Sequence, residues 1–411
     1  MKLLKVDALA EAREKLMEHV EECLFETEEI GLRKALSRVL AKPVLSEEAI
    51  PPFRRSTVDG YAVRYRDVGG ASESIPAFLK VIGEVCLGEN TSLSIGPGQC
   101  VYVPTGGMLP EGADAMVMVE YCEPFSDREI AVYTSVASGG GVVQIGEDMK
   151  EGETVLPAGR RLKPQDIGAL AALGKTRVCA YRPWRVTILS TGDELIEPSE
   201  EPKPGQIRDI NTYGLCAQAE QEGMEIVACH IVPDVREELK KRIEEAGKTS
   251  DLIVVSGGSS QGKKDMTAEI IDELASEGVF THGLALKPGK PTILGYDRES
   301  HTLLAGLPGH PAAAMLVFEQ VILWFYREKT GQSKRMPVPA KIATNIMGAP
   351  GKRTCQLVKI EKTESGEVTA IPIFGKSGMI TTLTKADGYL VMEENQEGLK
   401  AGETVFVHLW K

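Results

Sequence analysis

Four stretches of this chain set glycine beside groups that can hold an anion or a cation. They are Ser190-Thr191-Gly192-Asp193-Glu194, Ser256-Gly257-Gly258-Ser259-Ser260-Gln261-Gly262-Lys263-Lys264-Asp265, Lys287-Pro288-Gly289-Lys290-Pro291 and Leu307-Pro308-Gly309-His310-Pro311. Glycine lets a backbone approach a ligand closely and turn its N–H groups inward, which makes an anion-binding nest. Lysine adds a point charge for phosphate or an oxyanion. Aspartate and glutamate offer hard oxygens to a magnesium ion that would bridge phosphate oxygens. Any one such loop is commonly turn chemistry. Each of these follows an apolar run, and four together at strand ends read as an anion or nucleotide-like site.

Two further candidates precede them. Asp59-Gly60, in the stretch Pro51 to Ala62, reads either as a hairpin turn with a solvated basic flank or as a placed carboxylate. Pro104-Thr105-Gly106-Gly107 and Gly146-Glu147-Asp148 read equally as turns. Of the histidines, His19, His230, His282, His301 and His408 fit helix faces, strand edges or turns, and only His310 falls in a candidate loop. No local Ser/His/Asp motif supports nucleophilic hydrolysis.

The elements that must position these loops have a distinct rhythm. From Trp184, the runs RVTILS, MEIVACHIV, DLIVVSGG, GLALK and TLLAGLPG read as strands, with helices over 211–222, 235–247 and 265–276 and a last one over 310–329. Asn211 and Asp234 stand where N-caps belong. The alternation predicts a parallel sheet with helices on both faces. Residues 6–25 and 29–41 read as helices, and short Val- and Ile-rich runs over 54–140 suggest a small β-rich domain. An extended segment and a helix follow over 141–175, with Pro164 in its first turn and Gly174 capping its end. After the break at Met336-Pro337-Val338-Pro339, the tail 340–411 reads as short strands again.

At 411 residues the chain calls for two to four domains. The net charge of −12 argues against a nucleic-acid partner, which would favour a basic face. No run of 18 apolar residues occurs, so no membrane span is predicted. The N-terminus reads as an amphipathic helix rather than a signal peptide, and a cytoplasmic location is expected. The cysteines at 23, 86, 100, 122, 179, 216, 229 and 355 form no CxxC pair and no zinc spacing; they read as small buried hydrophobes.

Taken in order, PPFRRSTVDGYAVRYRD, PTGGMLPEGADAMVMVE, IGEDM, ILSTGDEL, GQIRDIN, SGGSSQGKKDMT, LKPGKP, GLPGHPAAA and GKSGMITTL resemble the molybdopterin molybdenumtransferase (MoeA) family, to which the C-terminal portion of gephyrin is related. The resemblance spans residues 51 to 383. It implies a multidomain α/β plus β protein. A linking domain would comprise 1–52 and 141–177, a β-rich lobe 53–140, a molybdopterin-binding α/β domain 178–332 and a C-terminal β-barrel 336–411. It also implies a homodimer whose cleft is lined by more than one domain. The implied reaction takes adenylylated molybdopterin and molybdate, or tungstate, inserts the metal between the dithiolene sulfurs and releases AMP, with Mg2+ assisting.

Carried over by motif, Asp59, Glu194 and Asp265 are expected to organise metal and water around the phosphoanhydride, with Asp148 and the weaker candidate Asp234 as further acidic positions. Lys287 and Lys290 match the lysines for oxyanion and phosphate. Thr105, Gly257, Gly258, Ser259, Ser260, Gly262 and Thr267 match cofactor-binding positions, Pro308 and Pro311 shape the neighbouring wall, and Ser377 matches a polar site from the last domain. The sequence departs from the family pattern at Arg54-Arg55, at Lys263-Lys264, at His310 in place of an amide, and at Leu357 in place of an arginine, for which Lys359 is a candidate substitute. Adenylyl transfer to the pterin and a non-catalytic scaffold are the competing readings. The first would need little more than the sheet domain; the second would not need the acidic set. Transient contact with other cofactor-biosynthesis proteins or apoenzymes is implied as well.

Overall fold

The computed structural model describes residues 6–257, 264–364 and 366–410, without the side chains of 264 and 265. Its contacts divide the chain into two units. The first comprises Met1–Lys42, Ala158–Ile167 and Thr176–Lys411, and the second Pro43–Pro157 and Gly168–Lys175.

The first unit is built on a six-stranded sheet. In chain order its elements are β1 (Arg185–Thr191), α1 (Asn211–Gln221), β2 (Glu225–Val232), α2 (Arg236–Gly247), β3 (Leu252–Gly257), α3 (Lys264–Leu274), β4 (Val279–His282), β5 (Ile293–Asp297), β6 (Thr302–Leu307) and α4 (Pro311–Val317). The strand order is β2-β1-β3-β6-β5-β4. Alternation along β1 explains the two layers. Val186 and Ile188 pack on one side with Leu215 and Ala219 of α1 and Leu316 of α4. Leu189 packs on the other with Leu239 and Ile243 of α2 and Ile271 of α3. Helices therefore cover both faces, as the sequence predicts.

Two expectations for this sheet are corrected. It is mixed rather than parallel, because β5 pairs antiparallel with both β6 and β4. GLALK is not one of its strands: Leu286–Lys287 pairs with Arg353–Thr354 in the C-terminal sheet. A run of two paired residues is too short to signal which sheet it joins. The expected helix over 310–329 is present but passes through a π-helical turn at Phe318–Leu323.

Neither predicted N-cap holds its helix. Asn211 is already the first helical residue of α1, the cap position falls to Ile210, which makes no side-chain cap bond, and Asp209, one residue further out, accepts the Thr212 N–H on Oδ1 at 3.2 Å. Asp234 precedes α2 without a side-chain cap, because its carboxylate accepts the Thr191 hydroxyl at 2.9 Å.

The N-terminal helix is confined to Leu9–His19, where Leu9, Ala12 and Leu16 recur on one buried face. The second expected helix, 29–41, is absent. Thr27–Gly31 is a strand paired antiparallel with Arg177–Tyr181, and Ser37 adopts a φ of 64°, which no α-helix accommodates. The helical spacing of Leu32, Ala35, Val39 and Leu40 is the accidental product of a strand, a short 3-10 turn and two isolated bridges. The C-terminal strands Val338–Ile342, Arg353–Lys362, Val368–Pro372, Gly388–Met392 and Thr404–Leu409 close into a barrel, because Arg353–Lys362 pairs on both sides. Its interior holds Ile342, Val358, Ala370, Leu390 and Val407.

The second unit carries a six-stranded β sheet over Gly60–Met118 and Cys122–Val132. Asp59-Gly60 is not a hairpin tip. Gly60 opens a strand that pairs with Ala115–Met118, and a Cβ there would lie 1.9 Å from the Val117 carbonyl oxygen. Overlap with backbone cannot be relieved by a rotamer change. Gly60→Ala is therefore expected to destabilise this unit by about 1–3 kcal/mol, read as a lower thermal midpoint. The helix Pro164–Ala172 starts at Pro164 as predicted, and Gly174, at φ 68°, ends it. Its last residues and Gly174 belong to this unit.

Of the eight cysteines, only Cys100 and Cys355 are fully buried, while Cys23, Cys86 and Cys229 are exposed; the expectation of buried hydrophobes holds for only part of the set. No helix among the described residues is long and apolar enough to cross a membrane.

Candidate functional site

Parallel pairing of β1, β3 and β6 brings their carboxyl ends to one edge of the sheet. A cavity of about 240 Å³ opens there, lined by Thr191, Glu194, Arg208, Asp209, Asn211, Ser256, Gly257, Gly309, His310, Pro311 and Gly378, among others. This is where open α/β sheets collect ligands. One glycine is required by space, and a second leaves room for a neighbouring carboxylate. A Cβ on Gly257 would stand 2.2 Å from the Thr191 carbonyl oxygen, and one on Gly192 would stand 2.9 Å from a carboxylate oxygen of Glu194. The first lets β1 and β3 close up at the cavity floor. The second leaves room for the Glu194 carboxylate to fold back over its own loop.

Glu194 is held by backbone on both sides. Its carbonyl accepts the Ile207 N–H at 2.8 Å, and Leu195–Ile196 pairs in parallel with Ile207–Arg208. That pairing also delivers Asp209 and Asn211 to the cavity. The Asn211 amide NH2 donates to Ser256 Oγ and to the Gly309 carbonyl, each at 2.8 Å, tying α1 to the ends of β3 and β6. Since the Gly309 oxygen can only accept, the orientation of the amide is fixed and Oδ1 faces the other way. Among the described residues, Asn211 Oδ1 is buried without a hydrogen-bond partner, and so is Asp209 Oδ2, although Asp209 Oδ1 accepts from Ser190 and Thr212. A buried acceptor left unpaired costs about 1–3 kcal/mol. Two such oxygens on residues lining one cavity suit a ligand that brings N–H groups, hydroxyls or a hydrated cation.

His310 reaches the C-terminal barrel. Its Nδ1 lies 2.8 Å from Ser377 Oγ, and the Ala312 N–H donates to the Ser377 carbonyl at 3.3 Å. The replacement of an amide by histidine thus joins two predicted positions across the cavity rim. Leu357, in place of the expected arginine, is buried in the apolar cluster with Tyr389 and the helix residue Phe325. Lys359 is exposed, bonds Glu361 at 2.8 Å and is not among the residues lining the cavity.

The predicted residues divide as follows. Glu194, Gly257 and Pro311 line the cavity, and Ser377 joins it through His310. Pro308 lies beneath, its carbonyl accepting from Ser256 at 3.4 Å. Thr267, on α3, is not among the lining residues, and neither are Lys287 and Lys290, which are exposed near the strand Leu286–Lys287. Asp59, Thr105 and Asp148 belong to the second unit. There Asp59 Oδ1 accepts the Thr105 N–H at 2.8 Å, and Asp148 is exposed on a segment tied to Ile50. Arg54 donates to the Ala113 carbonyl at 2.8 Å, so that departure serves local structure. Gly258, Ser259, Ser260 and Gly262, with Lys263 and the side chains of Lys264 and Asp265, lie outside the described residues. Sequence reasoning assigned no cavity role to Asp209 or Asn211. Their signal was the segment GQIRDIN, in which a carboxylate and an amide two residues apart precede a helix.

A mixed α/β sheet with a polar cavity at its carboxyl edge, joined to a closed β-barrel, defines a multidomain α/β plus β protein built around a small-molecule site. Three family profiles cover the chain: the MoeA N-terminal region (domain I and II) over 8–174, the "probable molybdopterin binding domain" over 187–328, and the MoeA C-terminal region (domain IV) over 339–410. A molybdopterin molybdenumtransferase of Haemophilus influenzae is 31% identical over 403 residues, 97% of each chain. One from Bacillus subtilis is 29% identical over 393 residues, covering 93% of this chain and 90% of the relative. A crystal structure of the molybdopterin biosynthesis MoeA protein from Pyrococcus horikoshii superimposes with a TM-score of 0.83 at 31% identity, over 99% of this chain and all of that one. The chain belongs to the MoeA family of molybdopterin molybdenumtransferases, and with it to the transferases of molybdenum cofactor biosynthesis.

Proposed function

We propose that this chain inserts molybdenum from molybdate, or tungsten from tungstate, into adenylylated molybdopterin, releasing AMP. The observation that carries the reading is the polar cavity lined by Glu194, Asp209 and Asn211 at the carboxyl edge of the sheet, in a chain with relatives over nearly its full length that are named molybdopterin molybdenumtransferase. Those acceptors suit the amino and ring N–H donors of a pterin. The adjoining Gly258, Ser259, Ser260 and Gly262 are the proposed phosphate loop, and Lys287 and Lys290 the proposed oxyanion and phosphate lysines, both on the strength of the family motif.

Magnesium fits the donors present. Glu194, Asp209 and Asn211 supply the hard oxygens that this ion takes. The family motif puts forward Glu194, Asp59 and Asp265 as the residues that would hold it, and it would supply neutralisation of phosphate charge. Asp148 is proposed as a further acidic position of the reaction and Thr105 as a cofactor-binding position. A homodimer acting in the cytoplasm, divided into the four domains given by the motifs, is part of the same proposal. Adenylyl transfer is the weaker alternative, because it leaves the barrel contact of His310 and the second unit without a purpose.

Equilibrium binding of adenylylated molybdopterin tests the site. Wild type should bind it, and Asp209→Leu, which replaces the unpaired acceptor with an apolar group, should weaken binding by about 1.5–3 kcal/mol. Equal affinity in both would remove the cavity from the account. His310→Ala should raise the KM for the pterin roughly 2- to 10-fold with kcat nearly unchanged, the loss of one ordinary hydrogen bond. Ser377→Ala should match it and the double variant should add little, since both break the same contact. Steady-state kinetics on the three variants would check this.

A further inference from the structure

Away from the cavity, three ligand-bearing side chains converge at the opposite end of the chain's first unit. Cys23 Sγ lies 3.2 Å from His301 Nδ1 and 3.5 Å from Glu21 Oε2, and His301 Nδ1 lies 3.5 Å from Glu21 Oε2. The three atoms thus form a nearly equilateral triangle. Zinc bound tetrahedrally at about 2.3 Å to sulfur and about 2.0 Å to nitrogen and oxygen sets such atoms roughly 3.3–3.5 Å apart. Among the described residues, no other group of three such ligands meets within this range.

The local chain holds the triangle in place. Glu21 and Cys23 flank and enter the 3-10 turn Glu22–Leu24, whose Leu24 carbonyl accepts the buried Trp184 indole N–H at 3.0 Å. His301 sits in the turn between β5 and β6 with a φ of 53°, and that turn is fixed by Asp297, which accepts from the Glu299 and Ser300 N–H groups. The hydroxyl of Tyr296 is buried and neighbours the Cys23 sulfur. A thiolate there would take it as a donor, the kind of outer contact that metal-bound sulfur commonly has. One cation opposes the site: Arg298 lies 3.6 Å from Glu21, but at the other oxygen, Oε1, while its second nitrogen bonds Glu277.

We propose that Glu21, Cys23 and His301 bind a zinc-class divalent metal ion at the surface, with the remaining coordination open to water. Binding replaces the Cys23 S–H proton, which passes to solvent, and leaves thiolate and carboxylate balancing the charge of the ion. The ion then fastens the segment after the N-terminal helix to the β5–β6 turn.

Cobalt(II) is the probe, added to the reduced full-length chain. The expected result is a thiolate-to-cobalt charge-transfer band with tetrahedral d–d absorption, displaced by zinc. Cys23→Ala should abolish the band, and His301→Ala should weaken binding by about tenfold or more. A close thiol pair elsewhere, Cys216 and Cys229 at 2.9 Å, is the internal control, and Cys229→Ala should retain the band. A missing charge-transfer band in wild type would overturn the proposal. So would a band that survives Cys23→Ala and disappears in Cys229→Ala.

Discussion

Asp59→Asn should lower oxyanion-dependent AMP release by about 10²–10³-fold, the usual effect of removing one preorganised electrostatic group from a reacting centre. The substitution is chosen to isolate charge. Asp59 Oδ1 accepts the Thr105 N–H at 2.8 Å, and the asparagine oxygen can keep that bond. The side chain is exposed, and the space constraint at this point falls on Gly60, not on Asp59. Stability should therefore stay within about 0.5 kcal/mol of wild type. Rapid-quench measurement of AMP, with thermal unfolding on the same sample, checks both halves. A variant that folds normally and turns over at the wild-type rate would remove Asp59 from the acidic set.

The largest effect on stability should come from Glu222→Gln. This carboxylate is buried, with 3% of its side chain exposed, and pairs with Arg161 at 2.9 Å, Arg327 at 2.8 Å and Arg335. It joins the end of α1 to segments at 161, 327 and 335, more than 60 residues away. Glu319 shares Arg327 at 2.7 Å but does not reach Arg161 in the same way. Breaking a buried ion pair from one side leaves uncompensated charge and costs about 3–5 kcal/mol. Chemical denaturation at neutral pH should show that loss.

The pH dependence has a definite sign. Burial alone would push the Glu222 carboxyl up, but the hydrogen bond and charge of Arg327, with Arg335 and Arg161, outweigh it and hold the group below its usual range. A folded-state pKa below the unfolded one means that its stabilisation is complete above the unfolded value, about 4.3. It is lost as pH falls through the folded value. The gap between wild type and Glu222→Gln should therefore narrow on acidification below about pH 4.3. A gap that widens toward acid would contradict the sign.

The parts of the fold that were legible in the sequence are those specified by local pattern. RVTILS, DLIVVSGG and TLLAGLPG are largely apolar runs leading into glycine-bearing loops, and they became β1, β3 and β6 with their loops at one edge. Pro164 and Gly174 were legible because cap chemistry needs only neighbours. What the chain concealed depends on distant partners. Thr27–Gly31 is a strand only because Arg177–Tyr181 supplies its hydrogen bonds, and its helix-like spacing is misleading alone. The two-residue strand in GLALK takes its sheet from Arg353–Thr354.

The site was legible to the same degree. Glu194, Gly257 and Pro311 sit in loops with strong turn chemistry and line the cavity. Asp209 and Asn211 were overlooked because a carboxylate and an amide before a helix look like caps, and Asp209 does accept a first-turn N–H through a single oxygen. The unpaired oxygen beside it becomes visible only when β1, β3 and α1 are assembled. Cys23 and His301 were set aside as unremarkable, since 278 residues separate them and no spacing rule links them.

The most direct measurement is insertion itself, with purified protein, adenylylated molybdopterin and magnesium, and molybdate and tungstate in parallel tubes. AMP and metal-loaded pterin are quantified together. The account predicts AMP release that depends on the oxyanion and matches the loaded cofactor mole for mole. Tight binding of the pterin with neither AMP nor loaded cofactor would contradict it and leave a scaffold in its place.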